Sequence, residues 1–270
     1  MQIQIHDDFN LKKIIESGQC FRAKRLPDGC YRFITKRNIL HLSPLRKNLW
    51  EADCTSYAWN HIWKSYFDLD TDYNSIRKNI PEDDHFLQKA AMYGKGIRIL
   101  KQDPFEMLIT FIISQRKSIP AIRTAVEKLC RLAGKPLSKE KDIYAFPTAH
   151  QLKKLSAEQL KECSLGYRAS YVFQAVRLVS SGKININKAA MLTDDELLTL
   201  LQQIPGVGIK VASCISLFGF HRTSAAPADV WINRVIDAHY GGINPFPSFG
   251  NSAGIMQQYM FYYYKNQPRQ

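Results

Sequence analysis

The stretch Ile204-Pro-Gly-Val-Gly-Ile-Lys210 constrains this chain more than any other. Residues 197–203 before it have the apolar spacing of a helix, and residues 209–218 after it are apolar enough for a buried one. A tight Pro-Gly-Val-Gly turn must therefore join two helices. Glycines at 206 and 208 let such a turn take positive φ and bring backbone close to a ligand with no Cβ in the way. The amides opening the second helix, Val211 among them, then face outward at the positive end of the helix dipole, ready for a phosphate oxygen. The pattern G-x-x-x-x-G-K-[ST] is absent, so this is no nucleotide P-loop. Taken alone, a turn that merely connects two helices fits equally well.

Charge favours the ligand. Lys+Arg number 37 against 24 Asp+Glu, for a net +13 and a pI of about 9.4. Such a balance suits a polyanion, whose neutralisation releases counterions, although a generally basic soluble protein has the same composition. With 45% hydrophobic and 23% charged residues the chain reads as an ordinary folded protein. No apolar run approaches the ~20 residues that span a bilayer, so no membrane partner is expected. Residues 1–8 carry neither the basic region nor the apolar core of a secretory signal. Cys20, Cys30, Cys54, Cys130, Cys163 and Cys214 include no C-x-x-C pair, which argues against a zinc site, an iron–sulfur cluster or a disulfide framework. A reducing compartment is expected: the cytoplasm and nucleoid of a prokaryote, or the nucleus of a eukaryote.

Two regions differ in pattern, and an α+β fold is expected. In residues 1–95, the β-branched and aromatic runs 30–35 and 38–42 predict antiparallel strands, with helices over about 52–66 and 71–79. Residues 96–270 read as a mainly α-helical domain. Asp103-Pro104 is an N-cap with Pro at the first helical position, followed by Met107, Leu108, Phe111 and Ile112. Further helices are predicted at about 119–133, 148–154, 156–163, 167–180, 193–202, 208–219, 228–239 and 253–264, with a surface loop over 241–249. Thr193 and Glu196 form a capping-box pattern.

Lys210 falls in the first turn of its helix, and Cys214, four residues on, shares its face. The dipole disfavours an ammonium there and favours the neutral amine that a Schiff-base nucleophile requires. Asp229, in Pro227-Ala-Asp-Val230, is placed to cap another helix. A capping carboxylate can also stabilise positive charge developing beside it.

Gly-Val-Gly-Ile-Lys-Val-Ala-x-Cys followed by Pro-Ala-Asp-Val resembles the helix-hairpin-helix/Gly-Pro-Asp superfamily of base-excision DNA glycosylases, and within it the 8-oxoguanine DNA glycosylases. Ser17-Gly-Gln-Cys-Phe-Arg22, Asp103-Pro-Phe-Glu106, Leu165-Gly-Tyr-Arg-Ala169 and Gly254–Phe261 look like family segments in the expected order, so the resemblance covers about residues 9–262. It implies a bifunctional glycosylase/lyase, acting as a monomer on double-stranded DNA that contains oxidised guanine. In this reading Lys210 attacks the anomeric carbon and holds the sugar as a Schiff base, and Asp229 stabilises the cationic sugar. No metal or other cofactor is implied, because the lysine supplies the nucleophile. The Gly18 carbonyl would take the imidazole-ring proton that 8-oxoguanine has and guanine lacks. Cys214 and Phe261 would sandwich the flipped base, with Gln257 at its Watson–Crick edge. Tyr167 would fill the gap in the duplex, and Arg168 would reach toward the orphaned partner base.

Departures from the family pattern are informative. Eukaryotic members have an asparagine run after the position of Ser114, then an arginine that helps read the opposite cytosine. Here Arg116 replaces one asparagine and Ala121 replaces the arginine. Losing a bidentate donor predicts weaker preference for cytosine opposite the lesion. Trp231 stands where a histidine is usual. Two other readings compete: a glycosylase for a different damaged base, and a non-catalytic hairpin that only clamps phosphate. Relatives of the endonuclease III type carry a C-terminal four-cysteine cluster, whereas the last cysteine here is Cys214.

Overall fold

The computed structural model describes residues 1–138 and 142–267. Five antiparallel strands lie in the order β1-β5-β4-β3-β2: β1 (Gln2–Gln4), β2 (Lys24–Arg25), β3 (Tyr31–Thr35), β4 (Asn38–Arg46) and β5 (Leu49–Ala52). The two predicted strands become β3 and β4, in register from Tyr31 opposite Leu42 to Thr35 opposite Asn38. Phe33, Leu40 and Leu42 are fully buried on the inner face. Strands as short as β1 and β2 hold too few residues to show an alternation, which is why the sequence did not announce them.

Helices make up most of the remainder. The stretch expected at 52–66 starts late because β5 takes its first residue; Thr55 caps Ser56–Ala58, which continues through a π-turn, Trp59–Trp63, into Lys64–Tyr66. Tyr73–Lys78 realises the next expected helix. Beyond residue 96 the helical expectation needs two corrections. Pro136–Ser138 pairs with Ile143–Tyr144 as a small hairpin, and much of the presumed surface loop at 241–249 enters a 3-10 helix, Phe246–Ser252, with Phe246 buried. Three helices, Leu11–Glu16, His85–Gly94 and Ile186–Ala189, were not expected, and His85–Gly94 packs along the last helix, Ala253–Lys265. Among the described residues no helix is long and apolar enough to cross a membrane.

Two hydrophobic cores form. The smaller lies under the sheet, where Phe67 meets Phe9, Phe33 and Tyr66 edge-on with ring centroids 5.3, 4.9 and 5.2 Å away. The larger fills the helical part and also takes Phe21, Tyr73, Ile80 and Leu87. Arg98 joins the pieces. Its guanidinium is fully buried; Nε donates to the Phe67 carbonyl, Nη1 to Asp7 Oδ2 and the Asp8 carbonyl, and Nη2 to the carbonyls of Asp68 and Thr71, all at 2.5–3.0 Å. All of its N–H donors are thus used, and the group also lies 4.1 Å over the Tyr73 ring. Asp68 ties the same corner to the helical part through Lys101 at 2.9 Å and His221 at 3.3 Å. Burial alone would raise its carboxyl, but hydrogen bonds from His221 and Lys101 and their charge hold it at about 2.

A second buried acid sits at the start of the Pro104–Ser114 helix. Burial pushes Glu106 up to about 7, against the pull of the nearby Arg22 and with help from Asp103 and Glu127. The folded protein therefore holds this proton more tightly than the unfolded chain, whose carboxyl titrates near the ordinary 4.5. The stability is fully present below that value and falls as pH rises toward 7, by roughly 3 kcal/mol at most. Glu106→Gln should therefore match the wild type in thermal melts at pH 4 and melt about 5 °C higher at pH 8.

Candidate active site

The helix-hairpin-helix is present as expected. Asp194–Gln202 opens with the Thr193/Glu196 capping box, and the turn leads into Ile209–Gly219. The two glycines do different jobs, which corrects the expectation that both need positive φ. Gly206 has φ +84°, and a Cβ there would lie 2.5 Å from the Tyr171 ring, so its need is internal packing. Its carbonyl accepts a 3.0 Å bond from Gln115. Gly208 is extended (φ −85°), and a Cβ there would meet nothing within 4 Å. Gly208 caps the helix without a side-chain hydrogen bond, so the first amides, up to Val211, open a helix that begins at the exposed Gly208, Ile209 and Lys210. A helix N-terminus left this way has free amides of the kind that can hold an anion.

Lys210 lines a narrow slot, where five chain segments meet. Gly18, Lys210, Cys214, Asp229, Gln257 and Phe261 all line it, with Ser17, Phe111, Phe218, Pro227 and Gln258. Asp229 caps Val230–His239, its Oδ1 accepting from the Trp231 and Ile232 amides at 3.0 Å each. Burial pushes the Cys214 thiol up, while Lys210 pulls it back through its charge and a hydrogen bond, and Asp229 adds to the rise. Gly18 follows the Leu11–Glu16 helix at φ +79°. Its neighbour Gln19 is buried, accepting from the Leu100 amide at 2.8 Å and donating to the Arg98 carbonyl at 2.9 Å. The Arg98 corner therefore sets the position of Gly18. Gln257 donates through Nε2 to the Pro227 carbonyl at 3.1 Å, which ties the last helix to the loop leading to Asp229.

Phe261 closes the slot. Its ring carbon lies 3.5 Å from where a Gly18 Cβ would be, and Lys265 Nζ sits 5.5 Å over the ring. Burial lowers the Lys265 amine below its usual range, with Glu16 and Asp229 opposing and Arg123 adding to the drop. The volume left is about 50 Å³, room for one or two water molecules but not for a nucleobase. A larger guest requires the slot to widen, and Phe261, packed against Gly18, borders it.

Tyr167, Arg168 and Arg116 lie outside the slot, on a rim joined to the hairpin through Gln115 and Tyr171. Tyr167 is 53% exposed just ahead of Arg168–Ser180 and packs edge-on to Tyr171, itself against Gly206. Arg168 does not reach outward: it is buried, its Nε and Nη2 donate to the Gln115 carbonyl, and its guanidinium stacks 4.4 Å from the Tyr167 ring. Arg116 is exposed in the left-handed region at φ +51°. Lys117 and Lys128 bond the carbonyl and hydroxyl of Ser164 at 2.8 Å, beside the same loop. Trp231 lines a separate groove of about 1150 Å³ with Lys89, Arg234 and Tyr264, which holds none of the other expected residues.

Sequence reasoning missed Ser17, Phe111, Phe218, Pro227 and Gln258 as lining residues. Phe218 could have been found, since it continues the Lys210, Cys214 spacing by one more turn. Phe111, stacked on it at 5.5 Å, belongs to a helix whose approach no local pattern reveals.

Comparison with known proteins adds to this geometry. The family model for the 8-oxoguanine DNA glycosylase N-terminal domain matches residues 2–108, and that for the HhH-GPD superfamily base excision DNA repair protein matches residues 109–247. The solved Clostridium acetobutylicum 8-oxoguanine glycosylase/lyase, in complex with double-stranded DNA containing cytosine opposite 8-oxoguanine, is 34% identical with a TM-score of 0.90. The match covers 98% of this chain and 97% of that one. The structure of MBOgg1 with a low affinity DNA ligand is 35% identical with a TM-score of 0.92, over 98% and 94%. The N-glycosylase/DNA lyase of Saccharomyces cerevisiae is 32% identical over 195 residues, 67% of this chain and 51% of its own, so the chain spans about half of that relative's length.

The contrast between the hairpin glycines is directly measurable. Gly206→Ala should lower stability by about 1–3 kcal/mol, through φ strain and the collision with Tyr171. Gly208→Ala should leave the melting temperature within a degree or so; equal losses at both positions would contradict the geometry.

Proposed function

Because the chain belongs to the helix-hairpin-helix superfamily of base-excision DNA repair proteins and, within it, to the 8-oxoguanine DNA glycosylases, we propose that it excises 8-oxoguanine from duplex DNA and then cuts the strand as a lyase. The observation that carries this reading is the convergence of Lys210, Asp229, Gly18, Cys214, Gln257 and Phe261 on one slot beside an exposed helix N-terminus. The hairpin amides hold a backbone phosphate, Tyr167 occupies the space left in the duplex, and the damaged base turns out into the slot.

The Lys210 amine forms a bond to C1′ of the deoxyribose as the bond from C1′ to the base nitrogen breaks, and the electron pair leaves with the base, which takes up a proton. Positive charge grows on the sugar in that step. The Asp229 carboxylate faces it, held rigidly through Oδ1 by two amides and leaving Oδ2 for the sugar. Ring opening then gives a Schiff base between Lys210 and C1′. Loss of a C2′ proton expels the 3′-phosphate and cuts the strand. The Cys214 thiol, kept protonated by burial, packs against the base and does not compete as a nucleophile.

This chemistry separates an enzyme from a passive phosphate clamp. Borohydride should trap the protein covalently on a duplex containing 8-oxoguanine. Lys210→Gln should abolish both trapping and excision while binding to the same duplex survives; undiminished trapping by the variant would remove Lys210 from the nucleophile's role.

The rim bears on the opposite base. Ala121 offers no donor, and Arg168 is committed to the Gln115 carbonyl, so little remains to read a cytosine. Single-turnover excision of 8-oxoguanine opposite cytosine and opposite adenine should differ by less than about tenfold, given the 1–3 kcal/mol of each lost bidentate contact. A ratio in the hundreds would refute the assignment.

A further inference from the structure

The slot contains a polar atom that the structure leaves without a partner. Gln258 is 3% exposed, lines the slot, and its Oε1 accepts no hydrogen bond. Its orientation is fixed by the neighbouring amide. Gln257 must turn Nε2 toward the Pro227 carbonyl, at 3.1 Å, because a carbonyl only accepts. That leaves Gln257 Oε1 as the acceptor for Gln258 Nε2, also at 3.1 Å. The Gln258 oxygen is the open end of this two-amide ladder, and flipping either amide would set like groups against each other.

A buried carbonyl oxygen without a donor costs free energy until a ligand supplies one. We propose that Gln258 is a specificity-determining residue whose Oε1 accepts a hydrogen bond from the exocyclic 2-amino group of the extruded base. The inference rests on the slot being a reader of oxidised guanine, and it deepens that reading. An 8-oxoguanine base carries donors at N7–H, N1–H and the 2-amino group. Gly18, Gln257 and Gln258 line the slot, and in this proposal their carbonyl oxygens are the acceptors. Gln257 Oε1 has one lone pair engaged by Gln258 and one left for N1–H, while Gln258 Oε1 takes the amino group. An oxidised adenine has an acceptor at N1 and no 2-amino group, so it leaves both amide oxygens unpaired. A ring-opened guanine keeps the N1–H and 2-amino donors, so Gln258 holds it as it holds 8-oxoguanine.

Two bases and three proteins test this. Duplexes carry either 8-oxoguanine or 8-oxohypoxanthine, which differs only in lacking the 2-amino group, and kcat/KM for excision is measured with the wild type, Gln258→Met and Gln257→Met. The wild type should lose about tenfold on removal of the amino group. Gln258→Met should be about tenfold slower on 8-oxoguanine and then lose less than about threefold on removal of the amino group. Gln257→Met removes the acceptor that orients Gln258, so it should also lose most of the wild-type sensitivity to that group. Independent, multiplying losses from Gln258→Met and from removal of the amino group would overturn the proposal. So would a wild type indifferent to the amino group, a result that needs no variant to fold. A wild type that excises neither base would instead refute the 8-oxoguanine reading itself.

Discussion

The buried guanidinium of Arg98 is the contact on which the rest of this molecule is hung. Taking a charge out of water is costly unless every donor is satisfied, and here every one is. Its partners are mostly carbonyls at segment ends, at Asp8, Phe67, Asp68 and Thr71, so one side chain fixes several loops at once. From Arg98 the order passes to function in two short steps: its own carbonyl holds Gln19, and Gln19 adjoins Gly18. A glycine at the end of a six-residue helix would otherwise be a frayed terminus. Instead it is a fixed wall of the slot.

Two helix N-termini face each other across that slot, and they are finished differently. Val230–His239 is capped by a carboxylate, which satisfies two amides and puts negative charge at the dipole's positive end. Ile209–Gly219 is capped only by a glycine and carries a lysine in its first turn, against the dipole. A fold selected for stability alone would favour the first solution at both ends. The second fits the proposed contact with a backbone phosphate.

Legibility in the sequence followed the range of the interactions. The hairpin, the Asp229 cap, the capping box at Thr193 and the main helices are set by residues within a turn of one another, and each was readable. The N-terminal strands β1 and β2 were too short to show a period, and the His85–Gly94 helix was not picked out from its surroundings. The slot was assembled in advance only through family resemblance, because Gly18, Lys210, Asp229 and Gln257 share no local pattern. Arg168 shows the limit of that route: the residue type matched, yet its guanidinium is spent on the Gln115 carbonyl inside the protein. The amide ladder from Gln257 to Gln258 was invisible for a different reason. Adjacent helical residues point about 100° apart, so nothing in the sequence says that both side chains bend into one cavity.

If the slot reads oxidised guanine as proposed, its discrimination cannot rest on a single contact. Undamaged guanine presents the same stacking faces and the same N1–H and 2-amino donors to Gln257 and Gln258, and differs at Gly18, where it brings a lone pair against a carbonyl. An unmet acceptor there is worth about 1–3 kcal/mol, or roughly 5- to 150-fold. A genome offers on the order of 10⁶–10⁹ competing sites, so the shortfall is several powers of ten. The closed geometry supplies a further stage. The slot holds about 50 Å³ of free space, with Phe261 against Gly18 and under Lys265, so in the proposed reading a base makes room by displacing Phe261 before it is read. Every entering base bears that cost, but one that then leaves the Gly18 carbonyl unpaired recovers less of it. The gate and the reader therefore act in series, and Phe261 packed against Gly18 couples the two.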